Sequence, residues 1–267
     1  MSERPLDESD SQKHWNNNAP HWAVLVREGY DIAREYVNNP ELLRNLGDLS
    51  GKLVLDAGCG EGYNTRLMAG LGGKMVGVDL SMKMIELARE QEKREPLGIR
   101  YENTSYGNLS LFESETFDVV VSTVALMDSP CYREALTEFQ RVLKPGGRLY
   151  FSITHPCFIS REIRWLPPET GRQPQLVVGG YFNTEPEVDT WYFSAFPEPD
   201  KYPKFTVPTF YRTLSEYINT LIACGFKLRS IHEAKPTEEG CRKHKSLKRW
   251  SLQAALFLHF DAVKDES

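Results

Sequence analysis

The stretch VLDAGCGEG, residues 54–62, decides how this chain reads. Val54 and Leu55 finish an apolar strand, Asp56 carries a carboxylate to its end, and glycines follow at positions 58, 60 and 62. Glycine accepts positive φ and brings no Cβ, so a backbone of this kind can lie directly against a ligand. A dinucleotide-binding turn would read G-x-G-x-x-G, its third glycine packing helix against strand. Gly58 and Gly60 fit that frame, but its third place falls on Tyr63, and the extra glycine is Gly62. The form here is D-x-G-x-G-x-G after an apolar strand.

Outward from this turn, strand and helix signals alternate. Residues 52–56, 74–79, 99–102, 117–123 and 148–153 read as strands. Residues 62–71, 81–93 and 131–143 read as helices, with Ser81 an N-cap. KPGG at 144–147 reads as a turn. Such alternation predicts a parallel sheet covered by helices on both faces. Ligands of open sheets sit beyond the carboxyl ends of the strands, where the strand order reverses. Gly58 to Gly62, Asp79 and residues 104–106, 122–128 and 154–157 all fall on that edge.

Three further stretches extend the pattern: VGVDLSMKMIELARE (76–90), ETFDVVVSTVALMDSP (115–130) and LKPGGRLYFSI (143–153). Asp79 lies 23 residues after Asp56, at the end of the next strand, where a carboxylate can accept from both hydroxyls of a ribose. Together with the glycine turn, these stretches resemble class I S-adenosylmethionine (SAM)-dependent methyltransferases. The resemblance implies a Rossmann-like doubly wound α/β sheet of seven strands, order 3-2-1-4-5-7-6, the last antiparallel. It also implies SAM as cofactor, with S-adenosylhomocysteine as product. Its site would be built by Asp56, Gly58, Gly60, Asp79, Leu80, Ser105, Tyr106 and Ser122, the ribose resting on Asp79. One departure stands out: Ser105 occupies the place where many relatives carry an acid that meets the adenine amino group. WNNNAPHW, REGYDIAREY, GEGYNTR and FSITHPCF resemble a bacterial subgroup of these enzymes.

The flanks divide the chain into an N-terminal helical arm (1–48), the SAM-binding core (49–155), an insertion (156–210) and the C-terminal part of the core (211–267). Residues 1–12 are polar and expected to fray, with helix from Ser11. The insertion holds nine of the sixteen prolines and eleven aromatic residues. Its aromatic content favours a folded lid over disorder; the alternative is a small satellite cluster that stiffens the fold. Residues 214–226 read as an amphipathic helix, a strand runs to about 234, and RKHKSLKR (242–249) reads as a solvated hairpin loop, with a polyanion site as the alternative. Residues 251–260 read as the closing strand.

Net charge is −5, against broad capture of nucleic acid. No apolar run approaches the roughly 18 to 20 residues of a membrane span, and the N-terminus lacks a secretory pattern. Five scattered cysteines without C-x-x-C spacing argue against disulfide or zinc frameworks. A cytoplasmic setting is expected, with no metal, membrane or nucleic-acid partner. Nothing here reads on oligomeric state.

Methyl transfer is an in-line displacement that needs alignment and, for a protonated nucleophile, a base. His155, after the fifth strand, is one candidate; its alternative is a histidine bonding loop backbone beside Pro156. Asp128, after the fourth strand, is the other, or else a cap for the helix near Pro130. Arg27 and Arg66 are candidates for the methionine carboxylate of SAM or for an acidic acceptor. Trp15 and Tyr30 are candidates to close over the donor, with Tyr211 and Arg212 on the lid side; packing in the core is the alternative for all four. The expected activity is methylation of O or N on a small organic acceptor. The alternatives are a tRNA or protein methyltransferase and a non-catalytic SAM-binding protein.

Overall fold

A computed structural model describes residues 4–167 and 173–265. Two helices, α1 (Glu8–Arg27) and α2 (Asn39–Leu46), precede β1 (Leu53–Ala57). Then α3 (Tyr63–Gly70), β2 (Lys74–Asp79), α4 (Met82–Arg94), β3 (Arg100–Asn103), β4 (Phe117–Thr123), α5 (Tyr132–Val142) and β5 (Leu143–Thr154) alternate. After β5 come β6 (Glu162–Leu166), β7 (Gln175–Gly179), β8 (Glu187–Trp191) and β9 (Phe205–Thr209). The chain closes with α6 (Leu214–Ala223), β10 (Phe226–Glu233), α7 (Glu238–Lys243), α8 (Lys245–Gln253) and β11 (Phe257–Lys264).

Seven strands form one sheet in the order β3-β2-β1-β4-β5-β11-β10. Pairings from β3 through β5 are parallel, while β11 runs antiparallel to both neighbours. This is the expected seven-strand order, with its final strand reversed. The chain leaves β1 toward β2 on one side and returns as β4 on the other, so the reversal point lies at the β1–β4 boundary.

Alternating side chains of a strand point to opposite faces. Val54 packs with Met68, Ile85 and Tyr150 on one face, whereas Leu55 and Ala57 pack with Phe139, Leu136 and Leu149 on the other. Both faces are therefore apolar, and β1 reads as a continuous hydrophobic run for that reason. Ser81 caps α4 by accepting from the Met84 N–H at 3.2 Å.

Four expectations change. Helix α1 begins at Glu8 instead of Ser11, because Asp7 and Asp10 form a capping box that anchors its first turn. The basic segment is a helix pair and not a hairpin loop: Thr237 caps α7, and Leu247 of α8 is buried with Val37 and Phe257. The closing strand consequently starts at Phe257. Residues 144–147 loop out as the expected turn, but β5 already begins before them at Leu143, which pairs with Phe117 while Arg148 pairs with Val119.

Among its described residues, the insertion forms two antiparallel hairpins, β6–β7 and β8–β9. The second is tied to α1: Asn18 Nδ2 donates to the Thr206 carbonyl at 3.0 Å, and His14 Nδ1 lies 2.7 Å from Thr206 Oγ1. Trp22 of α1 packs against Trp191, Phe193 and Phe205. No helix among the described residues is long and apolar enough to cross a membrane.

Candidate active site

Two cavities open at the carboxyl edge of the sheet, and they share one wall. The smaller, about 150 Å³, follows the glycine turn; the larger, about 450 Å³, lies under the inserted hairpins. Trp15, Trp22, Asp31, Val124, Asp128 and Phe257 face both.

The glycine turn is built for close approach. Gly58, Gly60 and Gly62 all adopt positive φ. A Cβ on Gly58 would lie 2.6 Å from the Ala125 Cβ, so the turn packs onto the segment after β4 only because that atom is absent. Asp79 is held from two sides. Gly60 N–H donates to its Oδ2 at 2.8 Å and Ser81 N–H to its Oδ1 at 2.8 Å. Each oxygen keeps a lone pair for another donor. Burial lifts this carboxyl to about 6, against the two backbone donors that lower it. Loss of accompanying water is the cause.

Gly58, Gly60, Asp79, Leu80, Ser105 and Tyr106 line the smaller cavity. Four other residues considered from the sequence do not. Asp56 is fully buried beneath the turn, where Oδ2 accepts from Thr65 Oγ1 at 2.6 Å; burial raises its carboxyl to about 7. Ser122 donates to the Ala57 carbonyl at 2.7 Å, tying β4 to β1. Arg66 pairs with Glu92 at 2.9 Å. Arg27 reaches the Leu87 carbonyl at 3.3 Å.

Among the described residues, the cation that does line the cavity is Arg34. It sits at the start of a π turn, Arg34–Asn38, a helix irregularity often found at functional sites. Its guanidinium lies 3.5 Å from Asp31 Oδ2 and 3.7 Å from Glu61 Oε1, and Trp22 Nε1 donates to Glu61 Oε2 at 3.2 Å. Burial raises the Asp31 carboxyl, which Arg34 counters. Glu61 Oε1 and Asn64 Oδ1 are buried acceptors with no hydrogen-bond partner. Orphaned buried acceptors cost free energy, so this end suits a ligand that carries donors. The zwitterionic methionine end of SAM has the right groups: a carboxylate for Arg34 and an ammonium for Glu61. Only the spacing of Asp31 and Arg34, three residues apart in REGYDIAREY, could have pointed to them.

The larger cavity is rich in aromatic side chains, eleven of its thirty described lining residues, Tyr30, Trp191, Tyr192 and Phe193 among them. Its polar cluster centres on Asp189, which accepts from Thr209 Oγ1 at 2.7 Å and lies 3.3 Å from the Tyr211 hydroxyl. Tyr211 also donates to Glu187 at 2.9 Å, and Arg161 pairs with Glu187 at 2.8 Å. Arg212 is spent on backbone carbonyls of Ser129 (2.7 Å) and Phe210 (3.1 Å). Asp128 ends a single 3-10 turn, Leu126–Asp128, in the shared wall. Burial pushes its carboxyl well above the ordinary range, the Asp189 charge adds to this, and the Trp15 indole opposes it. Beside it, the β-branched Val124 takes φ 52°, a strained left-handed conformation.

His155 lies outside both linings although its neighbours Thr154 and Pro156 face the larger cavity. Cys157 N–H donates to its Nδ1 at 3.2 Å, which leaves Nε2 to donate to Glu233 Oε1 at 3.1 Å. Burial lowers its pKa, with Glu233 opposing. Among the described residues, no group of three or more His, Cys, Asp or Glu is placed to hold a metal ion.

Residues 55–151 match the model of a methyltransferase domain. A SAM-dependent methyltransferase from Mesorhizobium loti superposes with a TM-score of 0.68 at 25% identity, over 84% of this chain and 96% of that one. Residues 55–151 thus form a methyltransferase domain, and the chain has the fold of a SAM-dependent methyltransferase. Among curated relatives, the ubiquinone biosynthesis O-methyltransferase of Nitrosococcus oceani is 35% identical over 42% of this chain and 48% of its own. The demethylmenaquinone methyltransferase of Lactococcus lactis is 36% identical over 50% and 53%. The chain thus spans about half the length of the curated relatives it matches. The glycine turn, Asp79 and the Arg34–Glu61 end fit SAM as cofactor.

Proposed function

We propose that this methyltransferase moves a methyl group from SAM to oxygen or nitrogen of a small, ring-bearing organic acceptor. The shared wall of the two cavities carries the reading: a donor site and an acceptor site meet at Trp15, Trp22 and Asp128. The bound sulfonium supplies an electrophilic methyl group. Everything else falls to the chain. Aromatic walls hold a planar acceptor and exclude water, and aligning it against the donor contributes roughly 7–11 kcal/mol. Asp128 takes the proton that the nucleophile loses, because burial and the Asp189 charge raise its carboxyl well above the ordinary range and so make it a stronger base than an exposed carboxylate. Both curated relatives are named for quinone methylation, and such rings match the character of these walls. An acceptor held beneath two hairpins and a net charge of −5 favour a small molecule over tRNA or protein. The smaller cavity would not by itself separate an enzyme from a SAM-binding protein; the aromatic acceptor cavity favours the enzyme.

Labelled SAM incubated with fractionated small-molecule extracts tests this directly. The expected result is label in a small organic product. Label confined to RNA or protein, or no turnover despite tight S-adenosylhomocysteine binding, would overturn it. In the same preparation, S-adenosylhomocysteine at about 100 times its Kd stabilises the fold by roughly 2.7 kcal/mol, and Asp79→Ala abolishes that gain.

A further inference from the structure

The smaller cavity has three chemically distinct parts. Arg34 and Glu61 beside the glycine turn suit a zwitterion, and Asp79 suits a diol. At the third part stand Leu80, Met84, Tyr106, Ser105 and Glu8. Leu80, Met84 and the Tyr106 ring offer apolar surface, and Glu8 supplies a carboxylate. It comes from the first residue of α1, 97 positions away from Ser105.

The surroundings of Glu8 set it apart from its acidic neighbours. Arg4 is taken by Asp7 at 2.8 Å and Asp10 at 2.7 Å, and among the described residues Glu8 forms no ion pair. Ser105 Oγ donates to Glu8 Oε1 and accepts from the Gly107 N–H at 2.9 Å, which fixes the direction of the hydroxyl hydrogen. Oε2 accepts no hydrogen bond among the described residues. A carboxylate oriented through one oxygen, with the other free at a cavity edge, is an acceptor waiting for a donor.

Helix α1 is stitched to the same cavity along its length. Ser11 Oγ donates to the Asp128 carbonyl at 2.6 Å, Gln12 Nε2 to the Leu80 carbonyl at 3.0 Å, and Ser81 Oγ to Asn16 Oδ1 at 2.8 Å. Glu8 is therefore carried by an element docked on the rim and not by a loose tail.

We infer that Glu8 is a specificity residue for the purine of the cofactor, its free oxygen accepting from the exocyclic amino group of adenine. The inference rests on the SAM reading of the cavity. A purine has apolar faces for Leu80, Met84 and Tyr106, and adenine differs from hypoxanthine in presenting an amino donor where the latter has an oxo acceptor. Against a carboxylate, the amino group is bound and the oxo group repelled. The N-terminal helix would thereby supply the acceptor that Ser105, a hydroxyl, supplies less strongly.

Titration calorimetry with S-adenosylhomocysteine and its 6-oxo counterpart, S-inosylhomocysteine, tests this without turnover. The parent should bind the amino form at least tenfold more tightly. Glu8→Ala should close most of that gap by weakening the amino form. Glu8→Gln, whose amide can donate, should narrow it by improving the 6-oxo form. If both variants keep the parent's preference, the inference is overturned. Melting of each ligand-free variant separates a loss of helix anchoring from a change in preference, because loosened docking weakens both ligands alike. A parent that binds neither ligand would defeat the SAM reading itself.

Discussion

The Nε2 of His155 lies 3.1 Å from Glu233 Oε1, joining the end of β5 to the end of β10 beside the reversed strand. With its Nδ1 taken by the Cys157 N–H, the imidazole has no nitrogen free for a substrate. The ring instead packs on Phe158, 4.5 Å between centroids, and shapes the entry to the inserted hairpins. His155→Ala should therefore destabilise the fold by about 1–3 kcal/mol. The loss in kcat should stay far below the roughly hundredfold cost of removing a base. A hundredfold drop in kcat, with loss of an acidic limb in the pH profile, would return the base to His155.

Asp128→Asn keeps the shape of the shared wall and removes the proton acceptor. We expect kcat to fall by about a hundredfold or more, with S-adenosylhomocysteine affinity within a few-fold of the parent. The rate of the parent should fall as pH drops and the carboxyl takes up its proton. Unchanged kcat in the variant would mean an acceptor that reaches the site already deprotonated.

Arg34 is tested by a pair of ligands. S-Adenosylhomocysteine carries the amino-acid end, whereas 5′-methylthioadenosine lacks it. Arg34→Gln should weaken the first by roughly tenfold, the size of one lost charge-assisted contact, and leave the second nearly unchanged. Equal weakening of both ligands would show that Arg34 serves only to hold Asp31 and Glu61.

A pH effect on stability follows from His259. It is fully buried, its Nδ1 lies 2.9 Å from the Tyr150 hydroxyl, and burial lowers its pKa to about 3. In the unfolded chain it titrates near 6.5. Between those values the unfolded state binds the extra proton, so the stabilisation is complete above about pH 6.5 and is lost as pH falls toward 3. Denaturant melts at pH 7.5 and 5 should show the parent losing ground to His259→Gln on acidification. A stability difference between the two that stays constant with pH would exclude His259 as the cause.

Much of this protein was legible because its chemistry lies at strand ends. Asp79 and Ser81 are neighbours in sequence, so the carboxylate, its backbone donor and the helix cap come as one local unit. The glycine turn is equally local. Asp56 looked like part of the same unit, but it points under the turn to Thr65: a strand end can send a side chain to either face, and only packing shows which.

The arginines show where local reading stops. Arg27 and Arg34 are seven residues apart, close to two turns of one helix. A continuous helix would place them on one face. Gly29, at φ 82°, breaks that phase, and the chain re-enters through a π turn that delivers Arg34 instead. The basic segment misled for a related reason. Most of its charges mark the outer faces of two short helices, the second of which buries Leu247, and the packing of that residue against Val37 and Phe257 is a long-range event.

By itself the sequence determined the sheet, its order and the cofactor turn, because those depend on apolar periodicity, glycine conformations and caps, all written within a few residues. Tertiary structure alone decided which distant groups meet there. Glu8, Trp22, Arg34 and Asp189 reach the two cavities from α1, the π turn and the inserted hairpins. Their convergence depends on α1 packing simultaneously on the rim of the sheet and on β9. That double docking is set by buried surface and paired hydrogen bonds between remote segments, which no local pattern encodes.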